Sequence, residues 1–309
     1  MGTPRDSSPS VIAPGNHDGV HLGHQALVRA ARAHASSHGL QTLALTFDPH
    51  PLALLAPDRA PPRLTTIERR KELLLRAGAD GVIVQPFTRE FAALEPEAFV
   101  QVLVDHGARA LVVGPDFRFG RDRVGDVALL ERCGTSYGLS VIAPPKVMVG
   151  GERVSSSAVR EAIARGEVEH ASVLLGHVHE VSGMVIRGDQ RGRTIGFPTA
   201  NLRSESVLQP ADGVYAVVVR VLDGRPGLLR GVANLGVRPT VAAGRSVEVH
   251  LFDFDGDIYG AHLRVGFVTR VRPERKFGDL AQLRAQIALD CESARATLDS
   301  ADEAPWGWI

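Results

Sequence analysis

The sequence predicts a doubly wound α/β domain followed by a small antiparallel β-barrel that a C-terminal helix closes. Three observations carry that expectation. Apolar, strand-like runs alternate with stretches of helical period through the first half, glycine-punctuated strands take over after Gly176, and one long helical pattern runs from Leu280 to Thr297. Strand–helix alternation implies a mostly parallel sheet covered on both faces. Short strands joined by turn residues imply an antiparallel barrel.

In the first half the strand-like runs are Ser10 to Ala13, Gln41 to Phe47, Gly81 to Gln85, Ala110 to Val113 and Leu139 to Ala143. Helical stretches such as Gln25 to His34 and Thr66 to Ala77 separate them, with Thr66 placed to cap a helix and Gly39 and Gly78 placed to end one. Pro49, Pro51, Pro57, Pro61 and Pro62 mark a long irregular loop after the second strand, a candidate lid at a strand's carboxyl end. The last helix of this half, Ala171 to Leu175, runs out at Gly176, which sets the expected boundary between residues 1–176 and 177–309. Strands of the second half are expected at Val181 to Ile186, Gly213 to Val221, Leu228 to Val232, Ser246 to Phe254 and His262 to Val271. Asp223-Gly224 and Asp255-Gly256 supply turns, and the Trp-containing tail is expected to be loosely held.

A length of 309 residues suits two domains, and 44% hydrophobic with 23% charged residues is ordinary globular composition. The 35 basic and 35 acidic side chains give zero formal charge, which argues against a nucleic-acid partner bound by neutralising a run of phosphates. Cys133 and Cys291 are too few and too far apart for a disulfide framework or a thiolate zinc site, which fits a reducing cytoplasm. Met1 to Ser10 lacks the apolar core of a secretory signal, and no run is long enough to cross a bilayer. The expectation is a cytoplasmic protein with no membrane contact, and a homo-oligomer is left open.

Gly15-Asn16-His17-Asp18-Gly19-Val20-His21-Leu22-Gly23-His24 follows the first strand and opens the first helix. A helix start offers free N–H groups and the positive dipole end, Gly23 allows close backbone approach, and His21 and His24 can donate to a phosphate. Val154-Ser155-Ser156-Ser157-Ala158-Val159-Arg160 stands at a later helix start. There hydroxyls either cap the helix or bind phosphate, and Arg160 can neutralise a leaving anion. Thr46-Phe47-Asp48-Pro49-His50-Pro51, Leu64-Thr65-Thr66 and Val113-Gly114-Pro115-Asp116-Phe117-Arg118-Phe119-Gly120 sit at or beyond strand ends, where ligands of open α/β sheets bind.

In the second half, the glycine- and arginine-rich stretch from Arg187 to Asn201 is not a Walker P-loop, yet Gly188, Gly192 and Gly196 can let backbone amides wrap phosphates. Thr199 and Asn201 offer uncharged oxygens two residues apart, suited to Mg²⁺ that leans on ATP phosphates, with a plain β-turn as the alternative. Glu248 alternates with Val247 and Val249 and is expected to face away from them. Asp253 to Asp257 lacks the spacing and terminal Glu of a calcium loop, and His177-Val178-His179 reads as linker.

The H-x-G-H spacing resembles the nucleotidyltransferase superfamily, whose core is Rossmann-like. With the Pro-His loop, the Asp-Phe segment and the Ser-rich signature, the first half is similar to the FMN adenylyltransferase module of the bacterial bifunctional riboflavin kinase/FMN adenylyltransferases. Gly196 to Asn201, Pro210 to Ala216, Ala233 to Thr240 and Val247 to Phe254 follow in the order of that family's riboflavin kinase module. The resemblance implies phosphorylation of riboflavin to FMN by MgATP, then adenylylation of FMN to FAD with release of pyrophosphate. It implies that His21, His24, Asp48, His50, Asp116, Ser156, Ser157 and Arg160 serve ATP and flavin in the first module, beside Gly15, Asn16, Asp18 and Gly23 at the turn. Glu248 is implied as general base for the ribityl 5′-hydroxyl. His17 stands where the family usually has Phe, so a ring that needs a polar partner is expected there. The expected result is reduced or pH-sensitive adenylylation, and the alternative function is a riboflavin kinase with an impaired or differently specific first domain.

Overall fold

The computed structural model describes residues 8–188, 192, 196–224, 227–237 and 245–309. Its contacts divide the chain into two units, Met1–Ser155 and Ser156–Ile309.

The first unit runs β1 (Ser10–Pro14), α1 (Leu22–His38), β2 (Gln41–Asp48), α2 (Pro51–Leu55), α3 (Ile67–Arg76), β3 (Gly81–Pro86), α4 (Arg89–Ala92), α5 (Pro96–Asp105), β4 (Ala108–Val112), α6 (Val127–Tyr137), β5 (Ser140–Ile142), β6 (Met148–Val149) and β7 (Glu152–Arg153). Strands β3-β2-β1-β4-β5 form one parallel sheet, and β6 and β7 pair separately. Alternation along β1 divides its side chains between the two faces. Val11 and Ala13 pack with Ala31 and Ala35 of α1, whereas Ile12 packs with Phe99 and Leu103 of α5 and Leu130 of α6. Both faces are thus covered, which is why the strands read as continuous apolar runs.

Thr66 caps α3 by accepting the Arg69 N–H, and Gly39 ends α1 in the left-handed region at φ +66°. The proline-rich segment after β2 is less irregular than expected, because Pro51 opens α2 at a position where its missing N–H costs nothing, and a 3₁₀ turn follows at Pro57–Arg59.

The second unit comprises α7 (Ser156–Arg165), α8 (Val168–Leu175), β8 (His179–Ile186), β9 (Ala200–Ser204), β10 (Gly213–Val221), β11 (Leu229–Val237), β12 (Arg245–Leu251), β13 (His262–Pro273) and α9 (Leu280–Ser300). Six strands close an antiparallel barrel in the order β10-β11-β12-β9-β8-β13. Inside it, Tyr215, Val217 and Val219 of β10 meet Val247, Val249, Val265 and Phe267, and Val168 of α8 joins the same cluster. On the outer face Val214, Ala216 and Val218 lie under Cys291, Ala294 and Leu298 of α9. Burial of both faces explains the unbroken Val run of β10.

Two expectations are corrected in this unit. The C-terminal tail is firmly packed, because Trp306 and Ile309 are both 4% exposed in the α9 cluster and Arg220 Nε donates to a carboxylate oxygen of Ile309 at 2.7 Å. A Cβ at Gly266 would collide with the Ile309 side chain, so that glycine makes the notch the tail fills. His177 and His179 are buried parts of the fold rather than linker, donating to the carbonyls of Val178 and Leu208 at 3.0 and 2.8 Å. Among the described residues no group of three or more His, Cys, Asp or Glu side chains could hold a metal ion.

Candidate functional site

The β1–α1 turn leaves the sheet between β1 and β4, where strand order reverses and open α/β sheets bind ligands. It is a contorted turn, with His17 at φ +50°, Gly19 at +82° and Val20 at +41°. A β-branched residue there costs about 1–3 kcal/mol and persists only where the surroundings dictate it. The Asp18 carboxylate supplies that constraint. It accepts from the backbone N–H groups of Leu64 and Thr65, from the Thr65 hydroxyl and from Arg70 Nη2, all at 3.0–3.1 Å. Arg70 Nη1 donates to Thr46 Oγ1 at 3.2 Å, and that hydroxyl donates to the Asn16 carbonyl at 2.8 Å.

Asp18, expected to bind ligand, therefore spends its oxygens inside the protein at 2% exposure and shapes the turn instead. Arg70, Thr46 and Thr65 are its partners. The Leu64-Thr65-Thr66 segment stood out in the sequence, but nothing there aligned Arg70 with a site.

His21 caps α1: its Nδ1 accepts the His24 N–H at 3.3 Å, which leaves Nε2 as the protonated nitrogen of the neutral ring. The His24 ring stacks on it, centroids 3.6 Å apart and planes 16° from parallel. Gly23 makes room for the stack, since a Cβ there would come within 3.0 Å of His21 Cε1. His17 packs edge-on against His24 at 5.0 Å and donates from Nε2 to the Ala13 carbonyl at 2.9 Å. Burial lowers its pKa from 6.5 to about 4, with the Ala13 bond opposing and the charge of Arg70 reinforcing the shift. Burial thus disfavours a charge on this ring near neutral pH, where a pH-sensitive role would need one.

The Asn16 side-chain amide lies 3.3 Å from His50 Nε2, which brings the turn to the loop after β2, and His50 caps α2 through Nδ1. Asp48 ends β2 with Arg63 at 3.8 Å. Asp116, beyond β4, contacts Arg153 of β7 and lies 3.5 Å from Lys146. Desolvation opposes its ionisation, but the Arg153 hydrogen bond and charge, with Lys146, outweigh it and hold the carboxyl below the usual range. Ser156 and Ser157 open α7 and Arg160 follows one turn on, all within the second unit.

In the barrel, cross-strand register sets Asn201 of β9, Glu248 of β12 and Asn234 of β11 in one row. Val247 and Val249 point into the core, so Glu248 faces outward as alternation predicted. A cleft of about 280 Å³ takes in Glu248 and Asn234 with Thr199, Arg272, Glu274 and Phe277. Arg272 holds Asp290 of α9 through Nε and Nη2 at 2.8–3.0 Å. Burial first, then the negative charges of Asp212 and Glu248, push the Glu274 carboxyl above its usual range. A second cleft of about 580 Å³ includes Arg187, Ala200, Asp257 and Tyr259 and shares Thr199 with the first.

Gly188 and Gly192 are placed so that a Cβ would collide with the Asn201 side chain and the Phe197 carbonyl, respectively. Gly196 turns at φ +89° before the Pro-Thr-Ala-Asn segment. Residues 189–191 and 193–195 of this stretch and the Arg-Pro-Thr run at 238–240 lie outside the described residues. Asn234, Arg272 and Glu274 line the cleft beside Glu248, and no local sequence signal marks Arg272 or Glu274 for it. The Ala-Asn-Leu-Gly motif drew notice to Asn234, but only strand pairing sets it beside Glu248.

The FAD synthetase family model matches residues 3–158, and the riboflavin kinase family model matches residues 175–298. The chain is 44% identical over 288 residues to the bifunctional riboflavin kinase/FMN adenylyltransferase of Escherichia coli K12, covering 92% of this chain and 91% of that one. The same-named protein of Bacillus subtilis is 37% identical over 297 residues, covering 94% and 92%. A crystal structure from Streptococcus pneumoniae, described as a macrolide-efflux protein, superposes with a TM-score of 0.85 at 33% identity, covering 96% of each chain. Two catalytic family matches in sequence, and relatives alike over nearly their full length, place this chain in the bifunctional riboflavin kinase/FMN adenylyltransferase family.

Proposed function

We propose that this chain phosphorylates riboflavin to FMN with ATP and adenylylates FMN to FAD with a second ATP, releasing pyrophosphate. The observation that carries the reading is that both family matches lie in order on one chain, each over a site of suitable chemistry. Functionally we assign residues 1–176 to adenylyl transfer and 177–309 to the kinase.

In the kinase, riboflavin occupies the smaller cleft and ATP the larger, and they meet at Thr199. Glu248 takes the proton of the ribityl 5′-hydroxyl as that oxygen bonds to the γ-phosphorus and the bond to ADP breaks. Asn201 and Asn234, on either side of Glu248, orient the hydroxyl. The Thr199 hydroxyl and Asn201 amide oxygen are uncharged donors of the kind Mg²⁺ accepts when it keeps most of its waters. Bound there, the metal would neutralise charge on the ATP phosphates.

In adenylyl transfer, an FMN phosphate oxygen attacks the α-phosphorus of ATP and pyrophosphate leaves. No covalent enzyme intermediate is needed. The start of α1, His21, His24 and Arg160 stabilise charge that grows on the phosphate oxygens, Ser156 and Ser157 hold ATP, and Asn16, Asp48, His50 and Asp116 bound the substrate. Asp18 and Gly23 act through the shape of the turn. Both family matches support the two-step reading, and nothing observed favours an impaired first domain.

No described helix is long and apolar enough to cross a membrane, and we place the enzyme in the cytoplasm with small molecules as its partners. A chromatographic time course from riboflavin, ATP and Mg²⁺, with a parallel run from FMN, tests the reading. Glu248→Gln should lower FMN formation by ~10²–10⁴ and spare FAD formation from supplied FMN. Combined His21→Ala and His24→Ala changes should do the reverse. If either variant, still folded, lost both reactions equally, the two-site assignment would be wrong.

A further inference from the structure

The helix that carries three of the groups assigned to adenylyl transfer is built into the kinase barrel. Helix α7, with Ser156, Ser157 and Arg160 in its first turns, falls in the second unit, and α8 behind it sends Val168 into the barrel's inner cluster. The joint between α7 and the barrel centres on Arg270 of β13. Arg270 Nη1 donates to the Arg165 carbonyl at the end of α7 at 3.2 Å. Nη2 donates to the Asp212 carbonyl ahead of β10 at 2.6 Å, and the Arg270 backbone N–H donates to Glu169 of α8 at 3.3 Å.

Two glycines shape the seat of this guanidinium. A Cβ at Gly166, between α7 and α8, would lie 3.0 Å from Arg270 Nη1 and 2.7 Å from the Tyr215 hydroxyl, and a Cβ at Gly213 would lie 3.0 Å from Arg270 Nε. Tyr215, beneath the guanidinium at 6.0 Å, donates to the Ala211 carbonyl at 2.6 Å, while the Ala211 N–H donates to the Ile163 carbonyl of α7 at 3.2 Å. The carboxyl end of α7 is therefore held to the barrel through Arg270 and the loop ahead of β10. The guanidinium does not line either barrel cleft.

We propose that Arg270, a residue of the kinase barrel, is a positioning residue for adenylyl transfer, fixing the helix that presents Ser156, Ser157 and Arg160. The inference rests on the assignment of those three groups to that reaction. A planar fork reaching two carbonyls on different segments fixes direction as well as distance, which a lysine's single ammonium cannot. A reactive group displaced by about 1 Å can cost 10² in rate.

The test uses the full chain and measures both reactions on each variant. For Arg270→Gln we expect kcat for FAD formation from FMN to fall about tenfold or more, while kcat and KM for FMN formation from riboflavin stay within about twofold. Arg270→Lys should recover part of the lost rate. Unchanged FAD formation in Arg270→Gln would overturn the proposal. So would proportional loss of both reactions in Arg270→Gln and Arg270→Lys alike, which would make Arg270 only a stabiliser of the barrel. Arg160→Ala separates the two levels of inference. If it leaves FAD formation intact, the assignment of α7 to the reaction fails and the proposal with it. If it abolishes FAD formation while Arg270→Gln does nothing, only the positioning role fails.

Discussion

His17 offers the sharpest test of how the β1–α1 turn is built. Replacing it with the Phe usual in the family removes one buried imidazole that donates to Ala13 and whose Nδ1 has no partner among the described residues. In the folded chain the ring's pKa falls from 6.5 to about 4, chiefly through burial. A histidine depressed in this way contributes stability that is fully present above the unfolded pKa and lost as pH falls through the folded one. The window is therefore about pH 6.5 down to 4, and the whole term is about 3 kcal/mol, of which about 2 kcal/mol is gone by pH 5. The assay is denaturant unfolding of the first unit for wild type and His17→Phe at pH 7.5 and pH 5. The difference should move by about 2 kcal/mol in favour of the Phe variant on acidification. A gap that stays constant, or a His17 ring resonance that titrates near 6.5, would refute the reasoning. Adenylylation between pH 6 and 9 should keep the same profile in both proteins.

The other expectations concern packing. Arg70→Met should cost about 3–5 kcal/mol in unfolding experiments, because it leaves the buried Asp18 carboxylate without its counter-charge; a loss under about 1 kcal/mol would mean that the backbone donors alone hold the turn. Gly23→Ala should lower FAD formation and spare FMN formation, since its Cβ would press on the His21 ring; equal rates would show that the ring moves freely. Trp306→Ala should destabilise the barrel by about 3 kcal/mol, read as a lower midpoint of its unfolding transition, and an unaltered midpoint would mean that the tail adds nothing to the core.

Much of this architecture was legible from residue order. The alternating runs gave the parallel sheet because its strands are buried on both faces, and Thr66 and Gly39 behave as their chemistry dictates. Glu248 could be oriented from two flanking valines. What escaped was whatever depends on partners distant in sequence. Helix α7 has the same period whichever unit it packs on, so its attachment to the barrel left no local trace. Asp18 in a glycine-flanked turn looks like a ligand-binding carboxylate until its donors from residues 64, 65 and 70 are seen. The five-residue β9 is hidden by its mixed polar pattern after the Pro-Thr turn, and nothing local marks the tail as packed, because the Gly266 notch lies more than forty residues upstream of Ile309.

The pairing of β10 with β13 sets a schedule for making the protein. Gly213 pairs with Pro273 and Val221 with Leu263, and β8 meets the same late strand, Phe267 opposite His179. During synthesis the barrel therefore waits for its last strand before it can close, with β8 and β10 already outside the ribosome and each missing a neighbour. The parallel sheet, whose five strands are complete by Ile142, can close while the barrel is still being translated. Non-local pairing of this kind is slow and leaves strand edges open. The barrel is accordingly where chaperone dependence and aggregation should concentrate, and the amides of β10, buried on both faces and paired on both sides, should be among the last in this unit to exchange with solvent.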